Sequence, residues 1–99
     1  MLTIEQIKQT VTDYFKDKPV KRVYLFGSYA RGDANENSDV DLLVEYNDKE
    51  KMVSFFDILR MQTDLDKYLR KRVQLVENGT VYYRFVSYIE KDKLKLYEA

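Results

Sequence analysis

The sequence contains no cysteine and no histidine, and these two absences exclude several kinds of functional site. Without cysteine the chain can form neither a disulfide nor a thiolate-bound metal centre. Without histidine it lacks the commonest general base and the commonest side-chain metal ligand. Any metal site must therefore be built from oxygen ligands, which suit a hard cation such as Mg²⁺.

Net charge and long apolar runs are also missing. Lys plus Arg and Asp plus Glu both number 17, which disfavours a protein whose main task is to grip a nucleic-acid backbone. No apolar run approaches the roughly 20 residues that span a bilayer. The start, MLTIEQIKQT, mixes acidic and basic residues, unlike a signal peptide. We therefore expect a cytoplasmic protein that binds no membrane, with one domain over residues 1–99.

Alternating helix and strand patterns predict an α/β domain. The pair Thr3 and Gln6 is a capping box for a first helix over residues 4–16. Short apolar runs predict strands at residues 21–26, 40–46 and 73–76, and the alternating end KLKLYE predicts an edge strand. A short helix is expected after Gly27-Ser28, over residues 28–32. A further helix is predicted over Tyr82–Glu90 from helical spacing of apolar residues.

A long helix with a single apolar face is predicted over residues 53–70. The residues assigned to that face are Phe55, Phe56, Leu59, Met61, Leu65 and Leu69.

Two aspartates, Asp39 and Asp41, occur in the apolar stretch DVDLLV. Residues two apart in a strand point to the same face, so the two carboxylates are expected side by side. Carboxylates that close repel each other unless a cation lies between them, and carboxylate oxygens are suitable Mg²⁺ ligands. The alternative is a solvated strand face or turn, which suits Asp39 better than Asp41. The pair alone leaves both interpretations open.

The Gly27-Ser28 pair ends the strand before these aspartates. Glycine permits a tight turn, and the N–H groups at the start of the following helix form a potential phosphate site. Arg31, one turn later, offers a charge-assisted contact to the same phosphate. An ordinary strand–turn–helix is the alternative for this pair taken alone. Together with the aspartates, it predicts a phosphate site beside a metal-binding strand.

These residues resemble a known family. Gly27-Ser28, ten residues, then Asp39-Val40-Asp41 is similar to the G-S-x10-D-x-D signature of the polymerase-beta-like nucleotidyltransferase superfamily. The stretch LFGSYARGDANENSDVDLLVEY resembles the minimal nucleotidyltransferase group within it.

The resemblance implies a fold, a reaction and a partner. The fold is a small mixed sheet with helices packed on one side, the palm of nucleotidyltransferases. The implied reaction transfers a nucleoside monophosphate from a nucleoside triphosphate to a hydroxyl, with two Mg²⁺ ions. Ser28 would hold the terminal phosphates, while Asp39 and Asp41 would hold the metals. Many members are antitoxins paired with a HEPN-domain toxin, whose tyrosine they adenylylate.

Gln74 departs from this pattern. The family has a third carboxylate on the third strand, where this chain has Val73-Gln74-Leu75-Val76. An amide cannot accept a proton, and loss of general-base assistance costs about 10²–10⁴ in rate. Glu77 and Glu45 are poor substitutes because of their positions along their strands. Three explanations remain: a partner supplies the base, the strand is misaligned, or transfer has been lost while nucleotide binding remains.

Two functions follow from these residues. The first is an enzyme: a Mg²⁺-dependent transferase that moves AMP from ATP to a hydroxyl of a partner protein, with Asp39, Asp41 and the degenerate third position Gln74 as catalytic residues. Gly27, Ser28 and Arg31 would bind the nucleotide. The second is a catalytically impaired, nucleotide-binding antitoxin that acts by covering its partner. The nucleotide base, the acceptor and the homo- or hetero-oligomeric state are left open.

Overall fold

The computed structural model describes residues 2–47, 55–77 and 89–99. The helices and strands are, in chain order, α1 (Ile4–Phe15), β1 (Val20–Phe26), α2 (Ser28–Arg31), β2 (Val40–Tyr46), α3 (Phe55–Leu69), β3 (Val73–Glu77) and β4 (Leu94–Glu98). The predicted helix over Tyr82–Glu90 lies outside the described residues except for its last two. Residues 89–92 are helical where the description resumes.

The four strands form one mixed sheet in the order β3-β2-β1-β4. Strand β1 is antiparallel to both β2 and β4, and β2 is parallel to β3. A parallel pair needs a crossover connection, and α3 lies between β2 and β3 in the chain. The predicted edge strand at KLKLYE is confirmed as β4, and the mixed α+β sheet is confirmed as the fold class.

Helices α1 and α3 pack on one face of this sheet. The capping box at Thr3 and Gln6 starts α1, with hydrogen bonds of 3.1 and 2.8 Å. The apolar faces of both helices join alternate residues of β1 and β2 in one buried cluster. Its members include Ile7, Val11, Phe15, Val23, Leu25, Val40, Leu42, Val44, Met61, Leu65 and Leu69. The intervening strand residues, Asp41 among them, therefore point to the opposite face of the sheet.

Helix α3 differs from its prediction in how its apolar residues are distributed. Met61 and Leu65 are buried as expected, but Phe55 and Phe56 are 68% and 79% exposed, and Leu59 is 43% exposed. The single apolar face predicted for this helix is therefore wrong. The apolar residues of α3 in the buried cluster are spaced four apart, namely Met61, Leu65 and Leu69, and the first turn of α3 extends beyond the core.

Among the described residues, no helix combines the length and apolar character needed to cross a membrane.

Candidate active site

Gly27 joins β1 to α2 in a backbone conformation that suits only glycine. Its φ is 78° and its ψ is −155°, a region that other residues essentially never adopt. A Cβ at this position would lie 2.3 Å from Asp41 Oδ2. The Asp41 carboxylate thus packs directly on the turn that precedes α2.

Helix α2 begins at Ser28, directly after this turn. The Arg31 N–H donates to the Gly27 carbonyl and the Gly32 N–H to the Ser28 carbonyl, both at 3.0 Å. The first N–H groups of a helix have no acceptor within the helix. Gly27 and Ser28 therefore form the strand–turn–helix that the sequence predicts, and it lies against a carboxylate.

The loop before β2 fixes the position of Asp39, which immediately precedes the strand. The Asn37 N–H donates to Asn35 Oδ1 at 2.8 Å and the Asn35 N–H to Ser38 Oγ at 2.9 Å. The Val40 N–H then donates to the Arg72 carbonyl at 2.9 Å, which ties the start of β2 to the start of β3. Asp39 and Asp41, two residues apart, are thus attached to a well-bonded strand end.

The electrostatics of Asp41 are those of an incompletely compensated carboxylate. Burial raises the pKa of the Asp41 carboxyl, the negative charge of Asp39 raises it further, and the positive charge of Arg31 opposes both. A divalent cation between Asp39 and Asp41 would relieve this repulsion, so the donor set fits Mg²⁺. Within the described ranges, no three acidic residues come together as a metal site. A metal ion bound by Asp39 and Asp41 would therefore need further oxygen ligands, such as phosphate and water.

Gln74 lies beside Asp41 on the neighbouring strand. The parallel register pairs Asp41 with Gln74 and Val40 with Val73, so the Asp41 and Gln74 side chains are on the same face of the sheet. This register is the one expected if Gln74 stands at the position where the resemblance implies a third carboxylate. Glu45 does not replace it, because its carboxylate pairs with Arg22 at 3.0 Å.

Arg31 is held by two carboxylates, which the sequence analysis did not predict. Its Nε donates to Asp33 Oδ2 and its Nη1 to Asp92 Oδ2, both at 3.2 Å. Asp33 is only two residues away, so a local ion pair was detectable in the sequence. Asp92 is 61 residues away, and no local pattern signals that contact.

A mixed sheet with a Gly-Ser turn against a paired-aspartate strand defines a nucleotidyltransferase-type domain. The chain belongs to the family described as nucleotidyltransferase domain, whose model matches residues 4–97. The resemblance inferred from the G-S-x10-D-x-D signature is thereby confirmed, as is the assignment to nucleotidyltransferases.

Individual relatives agree with this assignment. The protein adenylyltransferase MntA of Thermococcus cleftensis is 38% identical over 85 residues, covering 82% of this chain and 83% of that protein. A solved structure of a candidate minimal nucleotidyltransferase superposes with a TM-score of 0.76 at 28% identity, over 94% of this chain and 95% of that one. A toxin–antitoxin crystal structure with AMP-PNP gives a TM-score of 0.75 over 97% of this chain and 75% of that one. At 20% identity, this last similarity establishes the fold alone.

Proposed function

We propose that this protein is a Mg²⁺-dependent adenylyltransferase that moves AMP from ATP to a hydroxyl, a tyrosine side chain, of a partner protein. In this proposal Gly27, Ser28 and Arg31 bind the phosphates of ATP. Asp39 and Asp41 hold two Mg²⁺ ions, and Gln74 occupies the third position beside them.

The observation that carries this proposal is the contact between Asp41 and Gly27. The Asp41 carboxylate occupies the space where a Cβ of residue 27 would be. The carboxylate oxygen proposed to bind metal and the N–H groups proposed to bind phosphate are therefore adjacent. A cation on the aspartates would bridge to phosphates at the turn, which is the arrangement that a metal–triphosphate complex requires.

The partner is proposed from the relatives. The Thermococcus cleftensis relative is named a protein adenylyltransferase, and a structure of the same fold is a toxin–antitoxin bound to AMP-PNP. These similarities support an antitoxin, and the family resemblance, together with a solved structure of the same fold that holds a HEPN toxin and its antitoxin, supports a HEPN-domain toxin as its partner.

The proposed reaction is an in-line displacement at the α-phosphorus of ATP. The acceptor oxygen forms a bond to that phosphorus, the bond to the oxygen that bridges the α- and β-phosphates breaks, and pyrophosphate leaves. When bound, Mg²⁺ would stabilise the charge on the attacking and leaving oxygens. The turn at Ser28 and the guanidinium of Arg31 would orient the departing phosphates. The hydroxyl proton must pass to a group of the partner or to water, because the Gln74 amide cannot accept it.

Gln74 also favours a second candidate function, an antitoxin that binds nucleotide and covers its partner without transferring AMP. Gln74 pairs with Asp41 in the strand register, and the family resemblance implies a carboxylate at this position in place of the neutral amide. General-base assistance is worth about 10²–10⁴ in rate, so transfer without a replacement base would be slow.

The two functions are distinguished by ATP labelled on its α-phosphate, incubated with the protein, Mg²⁺ and a lysate of its host. We expect a labelled protein band with wild type and none with the double variant Asp39→Asn, Asp41→Asn. A band that persists in the double variant would contradict the assignment of both aspartates.

Gln74→Asp is the matched variant for the third position. If it labels the same protein faster than wild type does, the amide limits a real transfer reaction. If label appears only with Gln74→Asp, the natural protein has lost transfer, and the binding-only antitoxin replaces the first proposal.

A further inference from the structure

Asp92 lies in a part of the chain that the nucleotidyltransferase signature does not include, yet it contacts a residue of that signature. Its Oδ2 accepts a hydrogen bond from Arg31 Nη1 at 3.2 Å. The Asp92 side chain is only 16% exposed, whereas Asp33, the other partner of Arg31, is 61% exposed. Water screens the Asp33 pair more strongly, so the Asp92 pair is the better shielded of the two contacts that hold the guanidinium.

The backbone around Asp92 is anchored on both sides. The Lys93 N–H donates to the Ile89 carbonyl at 2.8 Å, and Ile89 is buried. The Lys93 ammonium lies 4.4 Å from the centre of the Tyr24 ring. Strand β4 then begins at Leu94, paired with Leu25 of β1. Asp92 therefore has a fixed position relative to β1 and is not on a loosely attached loop.

Arg31 is attached to the same turn on which Asp41 packs. Its N–H donates to the Gly27 carbonyl at 3.0 Å, and Asp41 packs on Gly27. The two hydrogen bonds occupy Nε and one hydrogen of Nη1. The outer edge, formed by Nη2 and the second hydrogen of Nη1, can still bind a phosphate in bidentate fashion.

We propose that Asp92 is a positioning residue for the nucleotide: it holds the Arg31 guanidinium so that the outer edge faces the terminal phosphates before ATP binds. This inference rests on the proposed function, because it concerns the same nucleotide site. A free arginine side chain loses conformational entropy when it binds a ligand. An arginine that the protein already holds in place loses less, which increases affinity.

The test measures binding of AMP-PNP with Mg²⁺ by titration calorimetry. Asp92→Ala is expected to weaken binding about three- to tenfold, because the Arg31 side chain would then have to be ordered when the nucleotide binds. Asp92→Asn keeps an oxygen that can accept from Nη1, so it should bind more tightly than Asp92→Ala. Glu90→Ala is the matched control. It removes a carboxylate from the same helical segment, but this carboxylate pairs with Lys93 and not with Arg31. Its affinity should remain within about twofold of wild type.

Several results would overturn the inference. If Asp92→Ala bound as tightly as wild type or more tightly, Asp92 would not position Arg31, and tighter binding would mean that it competes with phosphate. If Asp92→Asn and Asp92→Ala weakened AMP-PNP binding equally, the loss of affinity would come from the charge of Asp92 and not from the position in which it holds the Arg31 guanidinium. Wild type that binds no AMP-PNP would overturn the proposed function as well, which separates the two failures.

A measurement on Arg31 itself decides the matter if Asp92→Ala does not fold. Asp33→Ala removes the acceptor of Arg31 Nε and leaves the hydrogen bond from Nη1 to Asp92. Side-chain NMR relaxation of the Arg31 guanidinium in Asp33→Ala, without nucleotide, should still show an order similar to that of the β1 backbone. A mobile guanidinium in this variant would overturn the inference, because Asp92 alone would then not hold Arg31 in place.

Discussion

Gly27 and Gly32 flank α2, and both have positive φ. A Cβ at Gly27 would meet Asp41, whereas a Cβ at Gly32 would have no atom of the described residues within 4 Å. We expect Gly27→Ala to cost about 1–3 kcal/mol from backbone strain and to displace the Asp41 carboxylate. Gly32→Ala, with φ 87° and ψ 12°, should cost about 1–2 kcal/mol and leave the carboxylate in place.

Urea unfolding and Mg²⁺ titration of the two alanine variants test this difference. The Mg²⁺ affinity of Gly27→Ala should be at least tenfold lower than that of Gly32→Ala. Similar Mg²⁺ affinity in both variants would show that the approach of Asp41 to Gly27 is not needed for metal binding.

Asp41 also gives a prediction about pH. Its folded-state pKa lies above its ordinary value of 3.8, so the folded protein holds the proton more tightly than the unfolded chain does. The contribution of this group to stability is therefore largest below pH 3.8 and is lost as the pH rises through the raised pKa. In EDTA at pH 7, Asp41→Asn should melt at a higher temperature than wild type, and the gap should narrow toward pH 3.8.

Mg²⁺ should reverse this order, because it stabilises only the carboxylate form. Melting curves with and without Mg²⁺ test both statements, with Glu36→Gln as a control at an exposed acidic side chain. An Asp41→Asn variant less stable than wild type in EDTA at pH 7 would mean that the carboxylate makes stabilising contacts in the metal-free protein.

At the scale of single residues, the sequence predicted what is local. Gly27, Ser28, Asp39 and Asp41 lie within fifteen residues, and turn chemistry and strand alternation are enough to assign them to one site. The Arg31–Asp92 contact was not predictable, because it depends on how β4 pairs with β1. The register that brings Gln74 to Asp41 was reached through a family resemblance and not through physical reasoning alone.

At the scale of elements, α3 shows how a regular pattern can mislead. Its apolar residues occur at helical spacing along its whole length, but only those from Met61 onward belong to the buried cluster. We expect Leu65→Ala, at a fully buried position, to cost about 2–5 kcal/mol. Phe56→Ala, at a side chain that is 79% exposed, should change stability by less than about 0.5 kcal/mol.

Urea denaturation of the purified protein measures both changes in α3. A loss of more than about 1 kcal/mol in Phe56→Ala would contradict the exposed position of its ring. Both variants truncate a large apolar side chain of α3, one inside the protein core and one outside it. Helix propensity therefore contributes little to the difference in their free energies of unfolding.

Most helices and strands were predicted because their sequence signals are local. The order of the strands in the sheet was not predicted. The Thr3 and Gln6 capping box predicts where α1 begins, and alternation predicts β4. The strand order requires information that no single segment carries. Strand β4 joins the sheet beside β1, and the parallel pairing of β2 with β3 follows from the crossover through α3.

At the scale of the whole molecule, a net charge of zero conceals a strongly acidic site. In the part of the chain that the structure describes, Arg31 forms ion pairs with Asp33 and Asp92, and the charges of Asp39 and Arg31 act on Asp41. We expect this concentration of carboxylates to repel a triphosphate that approaches without a metal ion. We expect EDTA to weaken AMP-PNP binding at least tenfold, and added Mg²⁺ to restore it.

Calorimetry in EDTA and in Mg²⁺, at constant ionic strength, measures this dependence. Constant ionic strength is necessary because screening alone alters binding at an exposed, charged site. Equal affinity in the two buffers would contradict a metal-bridged nucleotide and would leave Arg31 and the α2 turn as the whole phosphate site.

The pairing of β4 with β1 also affects how the protein is made. Leu25 pairs with Leu94, so one side of β1 has no strand partner until the ribosome has synthesised both segments. At about 5–20 residues per second, that interval lasts about 3–14 seconds. During this time β1 presents an open backbone edge next to the apolar residues Tyr24 and Phe26, which favours association between nascent chains. Co-translational chaperone binding should therefore matter most between the synthesis of β1 and that of β4.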